Sequence, residues 1–317
     1  VKQNRLQKIV LSAVLSASLC LCTLLSGCRP GETNRGMPAP LDEGETPRVT
    51  RTEYLFPEAP GKKTVEDNDA VIDYSNATEG YVMLKYAGDA DRVKAQITAP
   101  DEVIYTYTLK IGEFEAFPLQ AGDGDYKITV LRQVDKNRYA VILSSIVSVK
   151  LRDEFRPFLY PNQYSWYTKD TEALSLGEEL SEQSRDDLHY LTNVYHYVIG
   201  NIDYDTVLAA DIPVDYLPDI DTTLNTRKGI CFDYASLMTA LLRSQGIPAK
   251  LVVGYSGTVY HAWISVYLEE TGWVDNIIEF NGISWSLMDP TLAANNSAAD
   301  VKKYIGTGNN YTVCYWY

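Results

Sequence analysis

Thr226-Arg227-Lys228-Gly229-Ile230-Cys231-Phe232-Asp233-Tyr234-Ala235-Ser236-Leu237 is the stretch that decides how this chain reads. A glycine stands two residues before a cysteine, and an amphipathic helix follows. Cys231, Ala235, Met238 and Leu242 share one face of it, with Leu237 and Leu241 alongside. Gly246 closes the helix and Pro248 prevents its continuation. Cys231 therefore sits at a helix N-terminus. The unpaired amides and the dipole there favour a thiolate, the nucleophilic form of the side chain, and the Cys231 amide can face a developing oxyanion.

Downstream, Ala249 to Tyr255 reads as a strand. A glycine-containing loop leads to a second strand, His261-Ala262-Trp263-Ile264-Ser265-Val266-Tyr267-Leu268. Alternation places Ala262, Ile264, Val266 and Leu268 on one face and His261, Trp263, Ser265 and Tyr267 on the other, where His261 is expected to meet the cysteine helix. An imidazole there can accept the thiol proton and later return it to a leaving group. A third strand, Trp285 to Thr291, carries Asp289, an acid that can orient the imidazole through its far nitrogen.

Several spaced motifs in this order resemble the transglutaminase-like superfamily, with its papain-type arrangement. They are Gly229-x-Cys231 opening a helix, Gly246-Ile247-Pro248-Ala249, Gly254-Tyr255, His261-Ala262-Trp263, and Trp285 ahead of Asp289-Pro290-Thr291. The resemblance covers about Asn225 to Thr291. It implies an α+β domain with Cys231 as nucleophile, His261 as base and Asp289 as orienting acid. The stretch between His261 and Asp289 is longer than the family's usual hairpin, with Asn276 to Ile283 as the apparent extra loop, and Asp275 behind Trp273 is a reserve for the third role. Tyr204 and Asn225 are positional candidates for a second oxyanion donor. The activity implied is acyl transfer through a thioester on Cys231, by a peptidase, amidase or transamidase acting on protein or cell-wall peptide. The alternative is an inactive surface module that uses the cleft for binding. Neither reading calls for a cofactor or a metal.

The rest of the chain frames this region. From 62 to 152 short alternating strands such as Tyr81–Tyr86, Val93–Ile97, Val103–Ile111 and Tyr126–Leu131 predict a small all-β sandwich-like domain, ahead of a transglutaminase-like domain from 153 to 317. Within the latter, Ser181 to Asn201 has helical periodicity. His189 and His196 flank its stripe without a third metal ligand in sight, and six aspartates between Asp203 and Asp221 read as a solvated acidic loop. The formal net charge of −14 excludes a nucleic-acid partner, since phosphate binding needs a basic surface. Of five cysteines only Cys231 and Cys314 lie in the body, too few for a disulfide framework.

The N-terminal residues 1–27 join a basic start to an apolar run and are expected to be a lipoprotein signal peptide. Leu25-Ser26-Gly27-Cys28 resembles a bacterial lipobox, with Cys28 as the lipidated residue. Residues 28–61 are then a flexible tether, and the body lies on the extracytoplasmic face of the cell membrane. Cys28→Ser should release the protein from the membrane fraction or leave it unprocessed. A mutant that is processed and partitions like the parent contradicts the assignment.

Overall fold

Period-two burial builds the first half of the molecule. The computed structural model describes residues 41–256, 258–274, 278–280, 285–287 and 311–317; the expected signal peptide and Cys28 lie outside them. Eight strands make two four-stranded antiparallel sheets. One has the order β1 (Thr64–Glu66), β2 (Ala70–Asp73), β3 (Tyr81–Tyr86), β6 (Phe114–Pro118); the other runs β5 (Ile104–Leu109), β4 (Val93–Thr98), β7 (Gly124–Asp135), β8 (Arg138–Val149). Strand β4 buries Val93, Ala95 and Ile97 and turns Lys94, Gln96 and Thr98 outward, while β5 buries Tyr105, Tyr107 and Leu109. Arg138–Val149 is one continuous strand, held by its long pairing with β7.

The second half centres on helix α5 (Cys231–Ser244), with α1 (Glu172–Glu182) and α2 (Asp187–Asn201) packed on it. The periodic stretch from Ser181 to Asn201 is two elements rather than one helix. Asp186 takes extended backbone angles and its carboxylate accepts the His189 amide at 2.7 Å, so α2 starts afresh there. The same chemistry absorbs much of the acidic stretch. Asp205 caps α3 (Thr206–Ala210), Asp219 caps α4 (Ile220–Thr226), and Asp221 accepts the Glu172 amide.

Helix α5 ends as the sequence requires. Gly246 has φ +79°, its amide donates to Arg243 O and that of Ile247 to Leu242 O, which is a Schellman closure. Next come β11 (Ala249–Ser256) and β12 (Val259–Leu268). They lie in an antiparallel sheet of order β13 (Gly272–Val274), β12, β11, β16 (Tyr311–Trp316). The expected extra loop holds β14 (Ile278–Phe280), which pairs with β15 (Trp285–Leu287) in a separate two-stranded sheet. Arg243, in the last turn of α5, is buried and donates to the carbonyls of Tyr160, Ala249 and Tyr317. Burial alone pushes its pKa down to about 10, and the carbonyls supply the hydrogen bonds that a buried cation needs.

The two halves share one hydrophobic core. Tyr105 and Tyr107 of β5 meet Tyr317 edge-on at centroid separations of 5.8 Å, and Tyr317 lies 4.2 Å from Tyr164. A further connection departs from expectation. Residues 48–61, read as the end of a flexible tether, form an ordered strap over the helices. Arg48 donates to Asp187, Ser181 and Gln245 and sits over the Tyr190 ring, while Arg51 and Gln245 exchange backbone-to-amide bonds. Phe56 packs against the core beside Tyr167. Proline-rich composition cannot reveal this, because the partners of Arg48, Arg51 and Tyr54 are more than a hundred residues away in sequence.

A free tether would be cut by trypsin after Arg48 and Arg51, whereas the folded protein should resist at both bonds until it unfolds. Arg48→Ala should lower unfolding free energy by about 2 kcal/mol, the scale of losing charged hydrogen bonds from a largely buried group. Rapid cleavage at Arg48 in the native state, with no change in urea midpoint for the mutant, contradicts the strap.

Candidate active site

The site begins with a glycine that cannot be replaced. A Cβ on Gly229 would come within 2.6 Å of Asp233 Cβ, so the chain before the helix lies directly against its first turn. Asp233 holds the contact from the helix side. Its Oδ2 accepts the Ile230 amide at 2.7 Å and its Oδ1 accepts the Tyr216 hydroxyl at 2.6 Å. The Ile230–Asp233 bond ties the N-cap backbone to the third helical residue, and Cys231 becomes the first residue of α5. The Tyr216 bond attaches the loop between α3 and α4, which carries Ile212, Pro213, Asp215 and Tyr216 over the cysteine. Asp215, at φ +60°, is fastened on its other side to Arg92 and to the Thr108 hydroxyl.

Cys231 and His261 line one cavity of about 350 Å³. Its walls are largely aromatic, from Tyr164, Tyr216, Phe232, Tyr260 and Tyr317. The Ala262 amide donates toward the Cys231 sulfur, joined by the amides of Phe232 and Cys231 itself. The side-chain faces of β12 are used differently from the expectation. The aliphatic face, Ala262, Ile264, Val266 and Leu268, joins the core that contains α5, while Trp263 stands outside that core and runs parallel to the His261 ring at 6.2 Å. His261 reaches the cavity because it stands near the start of β12, beside the head of the helix, and not because its whole face covers the helix.

The other proposed site residues part company. Tyr204 ends β9 (Asp203–Tyr204), which pairs in parallel with β10 (Lys228–Gly229), opposite Gly229 itself. Burial raises its phenol pKa, with the charges of Cys231 and Asp233 adding to the rise, and Tyr204 is not among the residues lining the cavity. Asn225 is exposed on α4 and is not among the residues lining the cavity. Asp289 and Asp275 both lie outside the described residues. The strand before Asp289, β15, pairs with β14, and β13, which precedes Asp275, meets β12 at Val266–Leu268, the end away from His261. Cys314 is a half-buried free thiol in β16, and Cys231 is free as well. Sequence reading missed Asp233 and Tyr216; the Ile230-to-Asp233 spacing of a capping carboxylate was the available signal.

Electrostatics correct the expectation of a low-pKa thiol. Burial pushes the Cys231 thiol up; the amides of Ala262 and Phe232 oppose this, and the Asp233 charge adds to it. Asp233 is itself pushed up by burial, against the hydrogen bonds from Tyr216 and Ile230. Burial thus works against the thiolate that the helix N-terminus alone would favour.

The transglutaminase-like superfamily profile matches residues 175–276, and this part of the chain is a transglutaminase-like domain. The uncharacterized protein YebA of Bacillus subtilis is 28% identical over 181 residues, 49% of this chain and 24% of that protein. A protein-glutamine gamma-glutamyltransferase of Pseudomonas aeruginosa is 35% identical over 68 residues, 17% of this chain and 10% of that one. The chain thus spans a quarter or less of the length of these curated relatives. Among solved structures, red sea bream transglutaminase is 12% identical, over 74% of this chain and 49% of that one, with a TM-score of 0.29. The domain supports a cysteine-based enzyme.

The alkylation rate of Cys231 by iodoacetamide should rise only above the ordinary thiol range near 8.5. Asp233→Asn should move that rise to lower pH, since it removes a charge that opposes thiolate formation. A rate already maximal in mildly acidic buffer contradicts this account of the resting sulfur.

Proposed function

We propose that the protein is a cysteine-dependent acyl-transfer enzyme, and the observation that carries this is the shared cavity of Cys231 and His261 with the Ala262 amide against the sulfur. The sulfur attacks a carboxamide or peptide carbonyl carbon while its proton passes to His261. The oxyanion faces the Cys231 amide, with the Tyr204 hydroxyl as the nearby side-chain donor. Collapse expels ammonia or an amine, which takes the proton back from the imidazolium, and leaves a thioester on Cys231. Water or a second amine then attacks that thioester and restores the thiol. Asp289 is assigned to orient His261, with Asp275 as its reserve.

A protein or cell-wall peptide substrate agrees with the expected lipid anchor at Cys28, which holds the domain at the extracytoplasmic face of the membrane. Similarity to a protein-glutamine gamma-glutamyltransferase puts the glutamine side chain first among acyl donors to assay. The largely aromatic cavity, whose Asp215 carboxylate is paired with Arg92, suits a neutral carboxamide.

Incubation with a glutamine-containing protein and a fluorescent primary amine separates the outcomes. Amine incorporation reports transamidation, ammonia release without incorporation reports deamidation, and chain cleavage reports peptidase action. Cys231→Ala should abolish whichever occurs, and His261→Ala should reduce it by about a hundredfold or more. Activity that survives Cys231→Ala contradicts the proposal, and inactivity of the parent in all three favours the binding-module alternative.

A further inference from the structure

The cysteine cavity adjoins a second pocket of about 310 Å³, lined by Thr106, Thr108, Lys110 and Gln163, and both share Tyr164, Asp215 and Tyr216. A wall of three side chains therefore separates the reacting sulfur from a polar hollow on the β-sandwich. Thr108 lines that hollow and also donates its hydroxyl to Asp215 at 3.1 Å, which ties the wall to the sandwich.

The hollow lies along β5, an edge strand whose described pairing partner is β4. Part of the free edge is already covered. Thr108 O accepts Gln163 Nε2 at 2.7 Å, the Lys110 amide donates to Glu115 Oε2 at 2.6 Å, and Gln163 also donates to Glu115 Oε1 at 3.1 Å. Backbone groups alternate sides along a strand, so the Thr106 N–H and C=O face the same open side as the covered groups of Thr108. The edge is thus closed by side chains over Thr108–Lys110 and open at Thr106, which is exposed.

Near the pocket Arg92 pairs with Asp215, while Lys110, 4.0 Å from Glu115, stays largely exposed. What faces an incoming ligand is mainly hydroxyl, amide and main chain, with the Lys110 ammonium at the margin. From this juxtaposition the geometry points to a substrate subsite: the polypeptide that flanks the reacting carboxamide crosses the Tyr164–Tyr216 wall and adds to β5 at Thr106, recognised through its backbone rather than its charge. The assignment rests on the acyl-transfer reading and gives the sandwich a part in it.

The test uses the full chain carrying Cys231→Ala and short fluorescein-labelled peptides with a central glutamine flanked by alanine and serine. Binding is followed by anisotropy. N-methylation of the backbone amides flanking the glutamine should weaken binding about tenfold, the scale of one or two lost hydrogen bonds. Thr106→Pro, which removes the main-chain donor but keeps the C=O, should weaken the unmethylated peptide similarly and leave it sensitive to methylation, whereas Thr106→Val, which keeps the main-chain donor, should bind as the parent does. Affinity should hardly change with added salt. Absence of binding, equal affinity for methylated and unmethylated peptides, or loss of binding in salt overturns the subsite. If Thr106→Pro fails to fold, the methylation series on the Thr106 protein decides alone. Amine incorporation by the protein with Cys231 intact is measured separately, so failure of the acyl-transfer reading is distinguishable from failure of the subsite.

Discussion

The Asp233 carboxylate is the contact on which the site depends. It is buried at the third position of α5 and receives two donors, the Ile230 amide and the Tyr216 hydroxyl. The first fixes where the helix begins and hence that Cys231 heads it. The second fixes the loop that closes the cavity above the sulfur. Gly229 completes the arrangement, because any side chain there would occupy the space of Asp233. A buried carboxylate is costly to keep charged, and its hydrogen bonds offset that cost only in part, since its pKa is raised. The same charge disfavours the neighbouring thiolate. Construction of the site therefore disfavours ionisation of its nucleophile, in a place where a helix N-terminus alone would favour the anion.

A thiol whose ionisation burial opposes gives His261 a definite task. It must take the proton during attack rather than merely stabilise a thiolate already formed. The amides of Ala262, Phe232 and Cys231 then hold the charge as it develops on sulfur. On the far side of the roof, Asp215 reaches Arg92 and Thr108, so the loop that shapes the cavity is fastened to the sandwich as well as to the helix. The β-sandwich, which carries no chemistry in its sequence, in this way supports the geometry of the site.

Much of this was legible in the amino-acid sequence, and the rest was not for definable reasons. The head and tail of α5 were readable, because Gly246 can take φ +79° without cost and Gly229 leaves room for Asp233. Strands β4 and β5 were readable from period two, and β3, buried on both faces, from its apolar run. The strap at residues 48–61 was not, since its partners Asp187, Ser181 and Gln245 come together only in the fold. The break between α1 and α2 was obscured by apolar periodicity on both sides, although Asp186 was a visible cap. The face of β12 that meets α5 was misread because both of its faces are buried, so hydrophobic alternation alone could not say which one looks at the helix. The aspartates of the 203–221 stretch looked like a charge cluster and act mostly as caps and ties, a difference that depends on which amides come within reach.

The central claim is that Cys231 forms a covalent thioester with a carboxamide substrate. Acid quenching of the protein during turnover of a glutaminyl peptide, followed by intact and peptide-mapped mass spectrometry, tests it most directly. The account predicts an adduct on the Cys231 peptide equal to the substrate less ammonia, lost on treatment with hydroxylamine and absent from Cys231→Ala. An adduct on any other residue, or turnover with no adduct and no dependence on Cys231, would contradict it.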